Sequence, residues 1–180
     1  MLKTIVLALV ALNMGYANRI HIKDPIKGVL EEARLISPTG ILKQKGNGDV
    51  YLDISNDYIS ALYPIYELRF STLWERAKLS YPKDYTPNGI GAHILVMTGK
   101  ELKERGVWYF IKECNQEYGF SLDKEGYFSY EGFDAKKLHV LIVESEGLLA
   151  LRKKYGLKDF PNNRPFHICT IYQHLYEDEW

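Results

Sequence analysis

Polar and apolar positions alternate most clearly where the chain leaves a turn. Val50, Leu52 and Ile54 alternate after Gly46-Asn47-Gly48-Asp49, which predicts a strand behind a turn. Gly91 to Met97, Leu138 to Val143 and Pro165 to Tyr172 are short apolar runs of strand length, and Val107 to Ile111 with Tyr118 to Leu122 reads as a strand pair. Helical spacing appears in Ile26, Val29, Leu30 and Ala33 behind Asp24-Pro25. It recurs from an Asn56 or Asp57 cap through Ile59 and Leu62 towards Tyr66, with Pro64 limiting the helix to its first turns. Lys100 to Arg105 predicts a short helix, and about Gly147 to Tyr155 a longer one that stops at Gly156. Several strands follow one another directly, so the pattern predicts an α+β fold with mainly antiparallel sheet.

Residues 1–17 read as a secretory signal peptide. Lys3 supplies the positive end, Thr4 to Leu12 a short apolar run, and Gly15-Tyr16-Ala17 the small residues of a cleavage site. The run is too short for a stop-transfer helix. The expectation is an exported protein, periplasmic or secreted, with no membrane span after cleavage. Residues 18–180 show no linker or low-complexity stretch and predict a single domain. An oxidising compartment would permit, without requiring, a Cys114–Cys169 disulfide.

Composition narrows the function classes. The 180 residues are 46% hydrophobic, enough for a real core, and carry 23 basic against 23 acidic side chains. A protein that grips long nucleic acid through its phosphates needs a basic excess, and none exists here. Neither GxGxxG nor GxxxxGK(S/T) is present, and no GxSxG surrounds a serine. Asp123 to Glu131 lacks calcium-loop spacing.

The informative feature is an echo between two strands. Ala92-His93-Ile94-Leu95-Val96-Met97 and Phe166-His167-Ile168-Cys169-Thr170-Ile171 share the pattern apolar-His-Ile-x-x-apolar. Each follows a Gly, Pro or Asn-rich approach, Pro87 to Gly91 and Pro161 to Pro165. Strand alternation puts His93, Leu95 and Met97 on one face, and His167, Cys169 and Ile171 likewise together. If the isoleucine faces are packed, both imidazoles border one cleft. A neutral imidazole can then take a proton while a protonated one gives a proton. The blander account is two half-buried histidines, each bonded to a nearby carbonyl.

These residues resemble the 2H phosphoesterase superfamily, which includes LigT-like and cyclic phosphodiesterase enzymes. Gly91 to Met97, the strand and helix from Leu138 to Leu157, and Pro165 to Ile171 carry the likeness. So does the separation of His93 and His167, 74 positions. It covers roughly residues 45–175. The resemblance implies a two-lobed fold with helices packed outside mainly antiparallel sheets. It also implies metal-independent hydrolysis of a 2′,3′-cyclic phosphate or short RNA-type substrate, with no cofactor. His93 and His167 would be the acid and base pair, with His167 activating water and His93 protonating the departing oxygen. The partner would be a small nucleotide or RNA-derived phosphodiester, and the protein a monomer. In the family, a Thr or Ser two residues after each His binds phosphate; here those positions are Leu95 and Cys169. Phosphate then falls to Arg164, Lys100, backbone N–H groups, Cys169, or Thr170 if its strand bulges. A catalytically inactive nucleotide-binding or protein-interaction module of the same fold is the alternative.

Other candidates carry less. Tyr51, Tyr58, Tyr63, Tyr66, Trp74, Tyr81 and Tyr85 precede the first His strand and suit either a core or a base-stacking groove, with Tyr63 the candidate substrate contact. His174 with Glu177, Asp178 and Glu179, and His21, lack ordinary metal-ligand spacing, so no metal site is expected. His139 sits in an apolar run and reads as structural. Arg152-Lys153-Lys154 places cations where a helix C-terminus favours them.

Overall fold

The computed structural model describes residues 27–72, 78–107, 110–131 and 136–174. The expected signal peptide, its cleavage site, His21, Trp74 and the acidic C-terminal tail lie outside them.

The chain runs α1 (Lys27–Ala33), β1 (Thr39–Gln44), β2 (Val50–Ile54), α2 (Asp57–Ser60), α3 (Tyr63–Thr72), β3 (Lys78–Ser80), β4 (His93–Met97) and α4 (Gly99–Glu104). It continues with β5 (Glu117–Gly119), β6 (Ser121–Glu131), β7 (Lys136–Glu144), α5 (Glu146–Lys154), a 3₁₀ turn (Pro161–Asn163) and β8 (His167–His174). The fold is α+β, and all the described strand pairings are antiparallel, as the pattern predicts.

Local chemistry explains the helix ends. Thr98 caps α4 by a reciprocal box: its hydroxyl accepts from Glu101 N–H, and the Glu101 carboxylate accepts from Thr98 N–H at 2.9 Å. Ser145 caps α5, which ends before Gly156 at φ +67°. Pro64 does not end a helix but opens one. It lies in the first turn of α3, where a missing N–H costs nothing, so the single expected helix is two, α2 and α3.

The strand order is β5-β1-β2-β4-β8-β7-β6, with β3 also on β8. With β3 and β5 set aside, it is symmetric about the β4/β8 boundary: β1, β2, helix, β4 on one side and β6, β7, helix, β8 on the other. The outermost strands, β5 and β6, are separated in sequence by Phe120 alone, so the sheet curls until its ends nearly meet, barrel-like. Phe120 N–H donates to Pro38 O at 2.9 Å and its ring is buried.

Two expectations fail here. Val107, Phe110 and Ile111 join no ladder: Val107 N–H closes the end of α4 on Leu102 O, and Ile111 N–H is taken by the Gln44 side chain. β5 pairs instead with β1, a strand whose one large core residue, Leu42, gives it no alternating signal.

One face of the sheet is covered. Leu52, Ile94, Val96, Leu141, Val143 and Ile168 form a single core with side chains from the helices, among them Val29, Ile59, Tyr66, Leu102, Leu148 and Leu151. Burial of such side chains stabilises by about 1.5–3 kcal/mol each. Ile94 and Ile168 face each other across β4 and β8 and are fully buried. Their neighbours His93 and His167 therefore point to the other face.

Both histidine strands carry the same irregularity. In the β2–β4 ladder Val50 pairs Met97 and Tyr51 pairs Leu95, skipping Val96; in the β7–β8 ladder His139 pairs Ile171 and Val140 pairs Cys169, skipping Thr170. A residue skipped in this way is a β-bulge. Beyond each bulge the alternation inverts, so Met97 and Ile171 are buried in the core and do not share the histidine face as plain alternation predicts.

Candidate active site

The site is built on β4 and β8, the two central strands. His93 Nδ1 lies 2.9 Å from Gly91 O, and His167 Nδ1 lies 2.7 Å from Pro165 O. A carbonyl only accepts, so each Nδ1 must carry the proton and each Nε2 the lone pair of the neutral ring. In both cases the acceptor is two residues upstream. The Gly/Pro/Asn-rich approaches supply those carbonyls. At Gly91, φ is +73° and an added Cβ would sit 2.3 Å from Asn56 Oδ1. Asn56 caps nothing with its side chain; its Oδ1 accepts from Ala92 N–H at 2.9 Å and holds the approach in place.

The antiparallel register through Ile94 and Ile168 puts His93 across from Cys169 and His167 across from Leu95. All four are half-buried, and the two imidazoles are diagonal neighbours on one face. Buried Tyr51, Val140 and Ile142 flank them, and the Tyr51 ring meets His93 edge-on at 5.9 Å.

Charge around the pair is asymmetric. Asp84, from the loop between β3 and β4, places Oδ2 3.8 Å from His93 Nε2 and Oδ1 4.0 Å from Lys45 Nζ. Lys45 also lies over the Tyr51 ring, 5.8 Å from its centre. Burial lowers the pKa of His167 below its ordinary value; the Pro165 carbonyl opposes this, while the Arg164 and His93 charges add to it. His167 is thus kept neutral and basic at Nε2. Cys169 is pushed up to about 11, by burial first and by Asp84 second, so its side chain is a thiol rather than a thiolate.

The predicted site residues divide. His93, His167, Cys169 and Arg164 come together, Arg164 close enough for its charge to act on His167 and Cys169. Thr170 does not join them. Its strand bulges at that residue, yet the hydroxyl stays on the core face, donating to His139 O and bonded to Tyr66 Oη, both at 2.9 Å. Tyr63 is set on α3, at one end of a ring series with Tyr81 and Tyr85, with centres 4.4 and 5.0 Å apart. Tyr58 and Tyr66 are core. His139 is structural as expected, buried with Nε2 2.9 Å from Gln173 Oε1, and His174 bonds Ser80. Lys100 is exposed on the first turn of α4. Cys114 and Cys169 are both free thiols, so the permitted disulfide is not formed.

Several site residues carry no sequence signal. Asp84 and Lys45 lie in connecting loops; through the fold Asp84 reaches His93, and Lys45 reaches Asp84. Asp53 pairs with His93 in the β2–β4 register and forms an ion pair with Lys43. Tyr172 turns to the histidine side because of the Thr170 bulge, and feels Cys169 and Asp84. Arg152 is not a solvated helix-end cation: it is fully buried, donating to Val96 O at the other bulge and to Glu101 Oε1 at 2.7 Å. Among the described residues, no group of three His, Cys, Asp or Glu is placed to hold a metal ion, and no helix is long and apolar enough to cross a membrane.

Compared with protein-family models, curated proteins and solved structures, the chain finds no match.

Proposed function

We propose that the protein is a two-lobed phosphodiesterase of the 2H type, hydrolysing a 2′,3′-cyclic phosphate or short RNA-type phosphodiester with two histidines and no metal. The observation that carries this reading is the matched pair of hydrogen bonds, His93 Nδ1 to Gly91 O and His167 Nδ1 to Pro165 O. They set both rings in one tautomer, with the basic nitrogens on one side of two adjacent strands. The symmetric strand order and the two bulges three residues after each histidine support two equivalent halves.

His167, neutral, takes a proton from water at Nε2 as the water oxygen attacks phosphorus. The bond from phosphorus to one ribose oxygen breaks, and His93, protonated, gives that oxygen its Nε2 proton. Asp84 Oδ2 is an ion-pair partner for His93 in that protonated form. After product leaves, His167 returns its proton to solvent and His93 regains one. Arg164 and Lys45 supply positive charge to the phosphate, where Leu95 supplies none and the Cys169 thiol is a weak donor.

The test is turnover of 2′,3′-cyclic nucleotides by the purified protein in EDTA. His93→Ala and His167→Ala should each lower kcat by about a hundredfold or more, the usual contribution of a general acid or base, while thermal melting still reports a folded domain. Unchanged turnover in either variant would refute the assignment. Leu95 and Cys169 favour the second reading, a binding module, and it is the outcome if cyclic nucleotides raise the melting temperature without being hydrolysed.

A further inference from the structure

We infer that Asp84 is a positioning residue with two stations. In the free protein its carboxylate stands against Nε2 of protonated His93, and when a phosphodiester takes that nitrogen the carboxylate passes to Lys45. This rests on the proposed function and adds how its acid is kept loaded and then released.

Four side chains from distant parts of the chain close a circuit. Asp84 Oδ2 is 3.8 Å from His93 Nε2, and Asp84 Oδ1 is 4.0 Å from Lys45 Nζ. Lys45 Nζ lies 5.8 Å from the centre of the Tyr51 ring, which meets His93 edge-on at 5.9 Å. His93 Nδ1 is committed to Gly91 O at 2.9 Å, so Nε2 holds the one proton that the ring can give to a leaving oxygen. That N–H serves either Asp84 or the substrate. A phosphodiester close enough to receive the proton brings its own negative oxygens against the carboxylate and displaces it. Lys45 is the cation on the far side of Asp84. The other groups facing His93 are committed elsewhere. On β2, Asp53 lies opposite His93 and pairs with Lys43. On β8, Cys169 is opposite and stays a thiol, while His167 is diagonal, with Arg164 acting on both.

The backbone stays in place during this exchange. Gly91 ties both partners together: its N–H donates to Asp84 O at 3.0 Å, and its carbonyl accepts from His93 Nδ1. Lys45 is held in the turn between β1 and β2, its N–H donating to Asp49 O at 2.8 Å. Only the Asp84 side chain, 51% exposed, has to turn. Exposed side chains change rotamer far faster than enzymes turn over. Asp84 takes no proton at any point: His93 gives its proton to the leaving oxygen, regains one from solvent, and the carboxylate returns. Asp84→Asn should leave the fold in place, as thermal melting checks.

The experiment is steady-state hydrolysis of 2′,3′-cyclic AMP in acid and in base, where kcat/KM reports the free protein and kcat the complex. At about pH 6 an imidazole holds its proton unaided, so removing the competing carboxylate in Asp84→Asn should raise kcat/KM about threefold, the size of a half-exposed ion pair. At about pH 8 the ring depends on its counter-ion, so the same variant should lower kcat/KM by about as much. At both values kcat should move less than kcat/KM. Lys45→Gln should lower kcat/KM, and by less once Asp84 is Asn, because the displaced carboxylate is then gone. A change in the same direction at both pH values, no change, or a kcat that falls as far as kcat/KM overturns the exchange. An equal cost of Lys45→Gln in both backgrounds overturns the Lys45 station. Each of these outcomes leaves the histidine assignment standing. A wild type that hydrolyses no cyclic phosphate removes both readings.

Discussion

Val96 and Thr170 occupy equivalent places in the molecule. Each is the third residue after a histidine, each is skipped in the ladder with the outer neighbouring strand, and each is fully buried. The bulges invert the alternation beyond Leu95 and Cys169, so plain alternation from each histidine holds only through the third residue of each strand. They also leave backbone groups to satisfy, and a buried polar group without a partner is costly. Arg152 donates to the carbonyl of Val96, and the Thr170 hydroxyl donates to the carbonyl of His139 across β7.

Replacing Arg152 by Ala should be strongly destabilising. It strips Val96 O of its side-chain donor and Glu101 Oε1 of its cationic partner, and empties a fully buried position. Burial by itself would raise the pKa of Glu101, but the Arg152 and Thr98 hydrogen bonds outweigh it and hold the carboxyl below its ordinary range. Breaking such a pair from one side costs about 3–5 kcal/mol. Urea denaturation measures it, and a loss under 1 kcal/mol, the usual ceiling for an exposed pair, would contradict the role given to this network.

Gly91→Ala should lose stability and turnover together. The left-handed φ costs a residue with a side chain about 1–2 kcal/mol, and the new methyl overlaps Asn56 Oδ1. Moving the Gly91 carbonyl releases the Nδ1 anchor of His93. Adding Asn56→Ala should relieve the overlap but not the backbone strain, so stability returns only in part. Thermal melting of the single and double variants decides this.

Acid should act through His167. Its folded pKa lies below the unfolded value of 6.5, chiefly because burial disfavours the charged ring. Below 6.5 the unfolded chain binds the proton first, so the contribution of this group is present above 6.5 and lost as pH falls through the lower folded value. The melting temperature of the wild type should therefore drop more steeply below that point than that of His167→Gln. The acidic limb of kcat/KM should likewise lie below the ordinary histidine value. Parallel melting profiles would remove the effect from His167.

Cys169→Ser tests the missing hydroxyl. A serine at this half-buried position, opposite His93, offers a stronger donor with almost the same shape. Restoring one donor to developing phosphate charge should raise kcat on 2′,3′-cyclic nucleotides by about tenfold, a conservative fraction of what such donors contribute. A fall in kcat would mean that the thiol itself is required.

The strands that carry the histidines, and the helices α4 and α5, were legible in the sequence because local signals suffice there. Apolar runs of strand length and the Gly156 stop act within a few residues, as do the Thr98 box and the Ser145 cap that the structure adds. β1 was not legible, since its outer positions Ile41 and Lys43 are exposed while Leu42 and a glycine face inward. β6 was legible only as far as Leu122, because the acidic stretch from Asp123 gives no strand signal, and the strand beyond it is set by the pairing of Tyr127 to Glu131 with β7. Val107 to Ile111 erred the other way: apolar residues suggest a strand, but a strand needs a partner edge, and β5 holds the edge of β1.

By itself, then, the sequence determined an α+β chain with two matching histidine strands, because periodicity, caps and turn residues act over short range. Tertiary structure alone decided which residues surround the imidazoles. Asp84, Lys45, Asp53 and Tyr172 arrive through ladder register, a bulge and a loop crossing, relations between distant residues that no local pattern encodes. The same holds for Arg152, whose charge reads as solvent-facing until Glu101, some fifty residues away in the chain, closes over it.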